Sequence, residues 1–191
     1  MVKPPNDAAA PMAAGAMAPA PMLYREDGEV DWGEMWTTFC ALALEGGPPH
    51  RSADSYIPPQ PAADPRDPRY ARAAAEICRG IAEASGLRAC AAEPGWIAVE
   101  CPALGQAGWL AAAIEEERVA ARADGDRLLV PVAETFQLKG EIKSVITVVA
   151  KTSHYWTEHL PPQIKQSLAL EARLARLGRR IRRLWRREPA E

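Results

Sequence analysis

Two short turn signals, each flanked by alternating apolar residues, constrain the fold of this chain more than any other feature. The first is Glu93-Pro94-Gly95-Trp96, which has Pro and Gly where a type II turn places them. The second is Asp124-Gly125, a strong signal for a two-residue hairpin loop. A helical pattern follows each hairpin, over residues 103–117 and 138–160. The sequence therefore predicts two successive strand-strand-helix units.

The two turns also predict strand register, because a strand alternates its side chains between two faces. Folding about the first turn pairs Cys90 with Val99 and Cys101 with Arg88. The first hairpin would then place on its inner face Cys90, Ala92, Ile97, Val99 and Cys101. The second would place on its inner face Val119, Ala121, Leu128, Val130 and Val132, with Arg122 and Arg127 outside.

Two further helices precede these units. Asp31 caps the earlier one, which ends at Gly46-Gly47, and Pro68 suits the first turn of the later one, which Gly86 stops. The expected buried face of the later helix comprises Tyr70, Ala74, Ile77, Cys78, Ile81 and Ala84. The fold class is α+β: a two-layer domain whose four-stranded, mainly antiparallel sheet carries helices on one face, plus a basic C-terminal helix.

Composition divides the chain into three parts. Residues 1–22 are rich in Ala, Pro and Met and form a disordered leader, unless translation begins at Met12, Met17 or Met22. Residues 23–160 form a single globular domain, within which the Pro-rich stretch 48–68 is an extended connection. Residues 161–191 form a basic amphipathic helical tail.

Charge separates the tail from the rest of the chain. Residues 1–163 carry 14 Lys and Arg against 22 Asp and Glu, whereas residues 164–191 carry nine against three. An apolar seam repeats along the tail at alternating steps of four and three: Leu170, Leu174, Leu177, Ile181 and Leu184. Such a helix could bind a partner helix, the acidic body, nucleic acid or an anionic membrane surface.

Cysteine spacing and hydropathy indicate the class of protein. The four Cys form no CxxC pair and have no His at metal-ligand spacing, which predicts reduced thiols in a cytoplasmic protein. No run of about 18 apolar residues is present, so the sequence predicts no transmembrane segment.

Residues 134–160 depart from the composition of the remainder. Basic residues are 18 Arg and five Lys overall, yet this stretch has no Arg and holds Lys139, Lys143 and Lys151. A helix start carries positive partial charge, so Lys139 and Lys143 are poorly placed there unless they bind an anion. On a regular helix His154 lies on the same flank as both lysines. Ordinary solvated lysines paired with Glu134 or Glu141 are the alternative.

Other candidate residues surround this flank. The loop of residues 45–51 has two Gly and two Pro that would fix the direction of His50 and Arg51, although Gly-Gly-Pro-Pro is also a plain helix stop. Trp36 could line a ligand pocket. His154 and His159 are five residues apart, which on an α-helix prevents them from chelating one metal ion, so no metal site is predicted. His154 is a weak candidate for acid–base catalysis, and no nucleophile stands at the spacing of a known triad.

Two functions follow from these patterns. The first is binding of an anionic small molecule, bearing phosphate or carboxylate, by Lys139, Lys143, His154, His50, Arg51 and Trp36. The second is an interaction protein that acts through its Arg-rich C-terminal helix on a protein partner, nucleic acid or an anionic membrane surface. The sequence leaves open the identity of the ligand or any cofactor, the oligomeric state, and whether the chain is an enzyme.

Overall fold

The computed structural model describes residues 22–37 and 56–185, with side chains to residue 178. A helix (α1) occupies residues 32–37 of the first range. The second range contains, in order, α2 (Pro68–Ser85), β1 (Ala89–Ala91), β2 (Trp96–Glu100), α3 (Gln106–Glu116), β3 (Arg122–Asp124), β4 (Arg127–Pro131), α4 (Lys143–His154) and α5 (Pro162–Trp185). A π-helical turn flanks α4 on each side, over Leu138–Ile142 and Tyr155–His159.

The four strands form one antiparallel sheet in the order β1-β2-β4-β3, so the two hairpins join through β2 and β4. Helix α2 packs on β1 and β2, α3 packs on β3 and β4, and α4 contacts both helices. The core-facing side chains of the central strands are Ile97, Val99, Leu128 and Val130, all fully buried. The predicted α+β architecture, with two strand-strand-helix units, is confirmed.

The register predicted for the first hairpin is wrong by one residue. Cys90 pairs with Ala98 rather than Val99, so Cys90 is exposed on the outer face while Ala89 and Ala91 lie on the core side. Ala92 and Trp96 are the last paired residues of this hairpin, since Ala92 N–H donates to the carbonyl of Trp96 (3.0 Å). The loop between them therefore has three residues, whereas the predicted register requires two. Pro94 explains the difference, since its fixed φ excludes the positive φ that a two-residue hairpin loop requires at that position.

The side chains of the second hairpin lie on their predicted faces, but its loop comes one residue later in the sequence than predicted. Asp124 pairs with Arg127, so Gly125 and Asp126 form the loop, and Gly125 has a φ of 64°. The pairing therefore shifts by two residues, and a shift of two keeps every side chain on its face. Arg122 lies on the outer face, where its guanidinium carbon stands 4.8 Å from the centre of the Trp96 ring.

Local signals set the limits of α2 as predicted. Asp67 caps it by accepting from Arg69 N–H (2.8 Å), Pro68 occupies its first turn, and Gly86 ends it in a left-handed conformation with φ of 71°. Of its predicted face, Cys78 and Ala84 are half-buried, and the fully buried members are Tyr70, Ala74, Ile77 and Ile81.

The segment before α1 is held on α2 by two ion pairs, Arg25 with Glu83 (2.8 Å) and Glu29 with Arg79 (3.6 Å). Asp31 caps α1 by accepting from Glu34 N–H (3.0 Å), and Trp32 is buried with its indole N–H donating to Glu76 (2.9 Å). Arg79 bridges Glu76 and Glu83 and donates to the carbonyl of Val30 (2.9 Å). Met22, predicted to belong to the disordered leader, packs partly buried against the core. The remainder of that leader lies outside the described residues.

The helix predicted over residues 138–160 is regular only over Lys143–His154. The π-helical turn before it is kinked at Gly140 (φ −109°, ψ −105°), and a second π-helical turn follows it. Ile142 N–H donates to the carbonyl of Gln137 (3.2 Å), and Leu160 N–H donates to that of Tyr155 (2.9 Å), both five residues back. Between these turns every residue of α4 from Lys143 to Ser153 except Lys151 is buried. Lys151 forms an ion pair with Glu117, a residue that follows α3 and is itself buried.

Helix α5 lies against the body along one side. The backbone of Leu168 approaches Gly105 so closely that a Cβ there would stand 2.7 Å from the Leu168 carbonyl oxygen. Farther along, Arg176 pairs with Asp126 in the β3–β4 loop. Within the described ranges, no helix combines the length and apolarity needed to cross a membrane. The three described cysteines are free thiols, and Cys40 lies outside the described residues.

Candidate functional site

The two lysines of the predicted anion site differ in environment. Lys139 is exposed on the first π-helical turn. Lys143 is 6% exposed at the start of α4, and burial lowers the pKa of its ammonium group. The adjacent Glu141 carboxylate accepts from Gln137 N–H (2.9 Å), so the chain itself supplies an anion to this helix start. Whether Lys139 and Lys143 bind an external anion stays a prediction.

The structure separates these lysines from His154. Lys143 begins α4 and His154 ends it, which places them about 16 Å apart along the axis at 1.5 Å per residue. Trp36 lies at the His154 end, with its ring centre 5.8 Å from that of His154. The predicted residues therefore divide between the two ends of α4. His50 and Arg51 lie outside the described residues, so their position relative to either end stays untested.

Rings and histidines cluster around the second π-helical turn. The His154 and His159 ring centres are 5.3 Å apart, and the Tyr155 ring stands 5.5 Å from that of His159. Tyr155 also stacks on Trp109 at 5.9 Å with an interplanar angle of 10°. Beside His154 is a small cavity of about 190 Å³ whose lining includes Trp36, Ser153, Thr157 and Glu158.

The proximity of His154 and His159 overturns one premise of the sequence interpretation. On an α-helix, residues five apart point about 140° away from each other. The π-helical turn bonds residue i to i+5, which brings the two imidazoles onto one side. A helical period of 3.6 cannot reveal such a turn. No group of three or more His, Cys, Asp or Glu that could hold a metal ion occurs within the described part of the chain.

A larger groove lies between α2, the turn of residues 24–30 and the segment that leads to α4. Its volume is about 650 Å³, within the usual range of small-molecule sites. This α2 groove has an apolar lining of Val30, Ala73, Phe136, Leu138 and Ile142, and its charged lining is Glu29, Arg69, Arg72, Glu76, Arg79 and Glu134.

The arginines of the α2 groove are not equally available. Arg69 pairs with Asp67 (2.7 Å), and this bond lowers the pKa of the Asp67 carboxyl to about 2. Arg79 is held between Glu76 and Glu83. Arg72 is exposed and makes no hydrogen bond or ion pair with the described residues. It is therefore the groove cation most available to an external anion, and the sequence interpretation, directed to residues 134–160, missed it.

Helix α5 exposes the first three residues of the predicted apolar seam, and the side chains of Ile181 and Leu184 lie outside the described part of the chain. We call Leu170, Leu174 and Leu177 the leucine seam; their exposed fractions are 57%, 60% and 55%. Each residue of a helix turns by about 100°, so Leu168 and Ala172 lie about 160° around the axis from Leu170. Arg176 likewise lies about 160° around the helix axis from Leu174. Both residues on that opposite side contact the body: Leu168 packs against the core, and Arg176 pairs with Asp126. The leucine seam therefore faces away from the body.

No family model matches this chain, and no curated protein or solved structure shows significant similarity to it.

Proposed function

We propose that this protein is an interaction module whose α5 binds an acidic partner helix, with the α+β body as its scaffold. The observation that carries the proposal is the exposure of the leucine seam on the side of α5 opposite the body. Contiguous exposed apolar side chains on a soluble domain commonly mark an interaction surface. Covering a leucine is worth roughly 1.5–3 kcal/mol when it is fully exposed, so three half-exposed leucines would contribute about 2–5 kcal/mol.

Spacing and charge specify the partner. Steps of four and three residues form the narrow seam of paired helices, whereas helices that lie in a bilayer surface present a broader apolar face. Helix α5 carries seven basic residues against one acidic residue, so two copies of α5 would repel each other. An amphipathic helix with Leu at its seam and Glu beside it complements both features. Nucleic acid would match the charge but leave the leucines exposed.

A designed acidic peptide tests the proposal directly. The probe has four heptads with Leu at the seam positions and Glu on either side, and its twin carries Lys in place of Glu. In fluorescence anisotropy we expect the full chain to bind the acidic peptide, with an affinity that falls as the salt concentration rises. We expect no binding of the basic peptide. Leu170→Gln/Leu174→Gln/Leu177→Gln should abolish binding. The control is Ala175→Gln, an exposed position of α5 outside the seam.

Two results would overturn this proposal. Equal binding of the acidic peptide to the triple variant would show that the leucine seam is not the contact surface. Sedimentation of the full chain with phosphatidylglycerol vesicles, together with no peptide binding, would replace the helix partner by an anionic membrane surface. Circular dichroism of each variant establishes that the fold is retained.

A second candidate function, binding of an anionic small molecule, is favoured by one observation. Arg72 stands in the α2 groove beside an apolar lining and makes no hydrogen bond or ion pair with the described residues. A guanidinium can grip a carboxylate or phosphate by two parallel bonds, and the apolar lining would cover the rest of the ligand. On this hypothesis the anion would bind in the α2 groove, whereas the sequence predicts it at Lys139 and Lys143.

Thermal shift with a panel of phosphorylated and carboxylated metabolites tests this second function. If the groove binds one of them, Arg72→Gln should remove the stabilisation, whereas Arg66→Gln, at an arginine outside the groove, should not. Loss of the shift in Lys139→Ala instead would favour the site predicted from the sequence. No stabilisation by any compound would end the anion-binding hypothesis at both places.

A further inference from the structure

The second π-helical turn brings together two side chains that the helical period of the sequence separates. The His154 and His159 ring centres stand 5.3 Å apart, and both side chains are exposed. The turn stands at the C-terminal end of α4, where Leu160 follows it in an extended conformation, and π-turns occur at such helix ends. On an α-helix the two imidazoles would point about 140° apart, whereas here they stand next to each other.

The separation of the rings matches a shared metal ion. A Zn–N bond is about 2.0–2.1 Å long, which puts a ring centre about 3.2 Å from the ion, so two imidazoles on a tetrahedral ion have centres about 5 Å apart. The observed 5.3 Å agrees with this spacing. The rings now meet edge to face at 71°, and rotation about the broad χ2 torsion of histidine would direct one nitrogen of each to a common point.

We propose that His154 and His159 form a two-imidazole site for a divalent ion of the Zn²⁺, Ni²⁺ and Cu²⁺ class. Imidazole nitrogen suits these borderline ions rather than Mg²⁺ or Ca²⁺, which prefer oxygen. The cavity of about 190 Å³ beside His154 provides space for water ligands. Glu158 lines the same cavity and can accept hydrogen bonds from such waters.

Two protein ligands define the expected strength of this site. Catalytic zinc sites use three protein ligands, and the described residues offer no third one in place. The second imidazole acts as an intramolecular ligand at high effective concentration, so removing either histidine should weaken binding about tenfold or more. Because the two act as a unit, removing both should cost little more than removing one.

Calorimetric titration of the full chain with Zn²⁺ alone, and then with Ni²⁺ alone, tests the proposal. Cys90→Ser is the background, since this thiol is exposed and could bind zinc by itself. We expect one ion per chain, weaker binding in His154→Ala and in His159→Ala, and no further loss in the double variant. His50→Ala, which removes the third histidine of the chain, is the matched control.

A second readout follows from the neighbouring indole. The Trp36 ring centre lies 5.8 Å from that of His154, so bound Cu²⁺ should quench Trp36 fluorescence. Trp36→Phe should remove that part of the quenching and retain the ion. Unchanged affinity in either histidine variant, or losses that add independently in the double variant, would overturn the proposal. An equal loss in His50→Ala would also contradict it.

Discussion

Gly80 allows α2 and α4 to approach closely, and replacing it by alanine tests how tightly these helices pack. A Cβ at Gly80 would stand 2.3 Å from Cδ1 and 2.9 Å from Cγ1 of Ile146, a fully buried residue of α4. Helix propensity favours Ala over Gly by about 1 kcal/mol, whereas overpacking a core costs about 1–3 kcal/mol. Because contact at 2.3 Å requires a shift of the core, we expect overpacking to dominate. Gly80→Ala should lower the free energy of unfolding by up to about 2 kcal/mol.

A second substitution identifies the cause of that loss. Ile146→Val removes Cδ1, the atom in closest contact, and by itself should cost about 0.5–1.5 kcal/mol. If the clash is responsible, Gly80→Ala and Ile146→Val together should cost clearly less than the sum of their separate effects. Urea unfolding of the four proteins measures this coupling.

Gly108 provides the control for Gly80→Ala. It lies in α3, where a Cβ would meet nothing within 4 Å, so Gly108→Ala should be stabilising by up to about 1 kcal/mol. If Gly80→Ala stabilises the protein to the same extent, or if its effect adds to that of Ile146→Val, then close packing of α2 on α4 is not what Gly80 provides.

Three further outcomes follow from the structure. Arg79→Met should lower the free energy of unfolding, measured in urea, by about 1–3 kcal/mol, because it leaves Glu76 and Glu83 without the arginine that they share. Its control is Arg66→Met, at an exposed ion pair, which should change that free energy by less than about 0.5 kcal/mol. Leu168→Ala should destabilise the free protein in the same assay by about 1 kcal/mol, because Leu168 packs against the core, while Leu174→Ala in the exposed seam should have almost no effect. Burial raises the pKa of the Cys101 thiol from 9.0 to about 11. As pH rises, the thiol of the unfolded chain therefore loses its proton before that of the folded chain. The free energy of unfolding should fall by about 2–3 kcal/mol between pH 9 and pH 11. Cys101→Ala should make that fall shallower in denaturation measured across this pH range; an unchanged slope would contradict the assignment.

The sequence predicts those parts of the fold that depend on local chemistry. Asp67, Pro68 and Gly86 define the limits of α2 through a cap, a fixed φ and a left-handed termination, each of which belongs to a residue type. The register predicted for the first hairpin is wrong by one residue, because the prediction rests on a loop of two residues. The fixed φ of Pro94 excludes that loop, so a property of one residue type in the sequence sets the observed register.

The candidate sites depend on features that sequence patterns do not contain. His154 and His159 meet because one turn is π-helical, and a period of 3.6 residues assigns them to different sides. Arg72 becomes a candidate only when the partners of Arg69 and Arg79 are seen. Unusual lysines do mark a distinct part of the chain, since Lys143 and Lys151 belong to the most deeply buried helix. Their positions on α4, however, bring neither of them to the α2 groove.

The hydroxyl groups of α4 have a consequence for how this helix is oriented. Ser144, Thr147 and Thr152 each donate to the carbonyl four residues earlier, at 2.7–2.8 Å. These buried hydroxyls thus satisfy their hydrogen bonds within the helix and give no directional bond to α2 or α3. Two contacts that do oppose rotation of α4 about its own axis are the close fit of Gly80 against Ile146 and the Lys151–Glu117 ion pair. In any related chain of this fold, a larger residue at position 80 should accompany a smaller one at position 146.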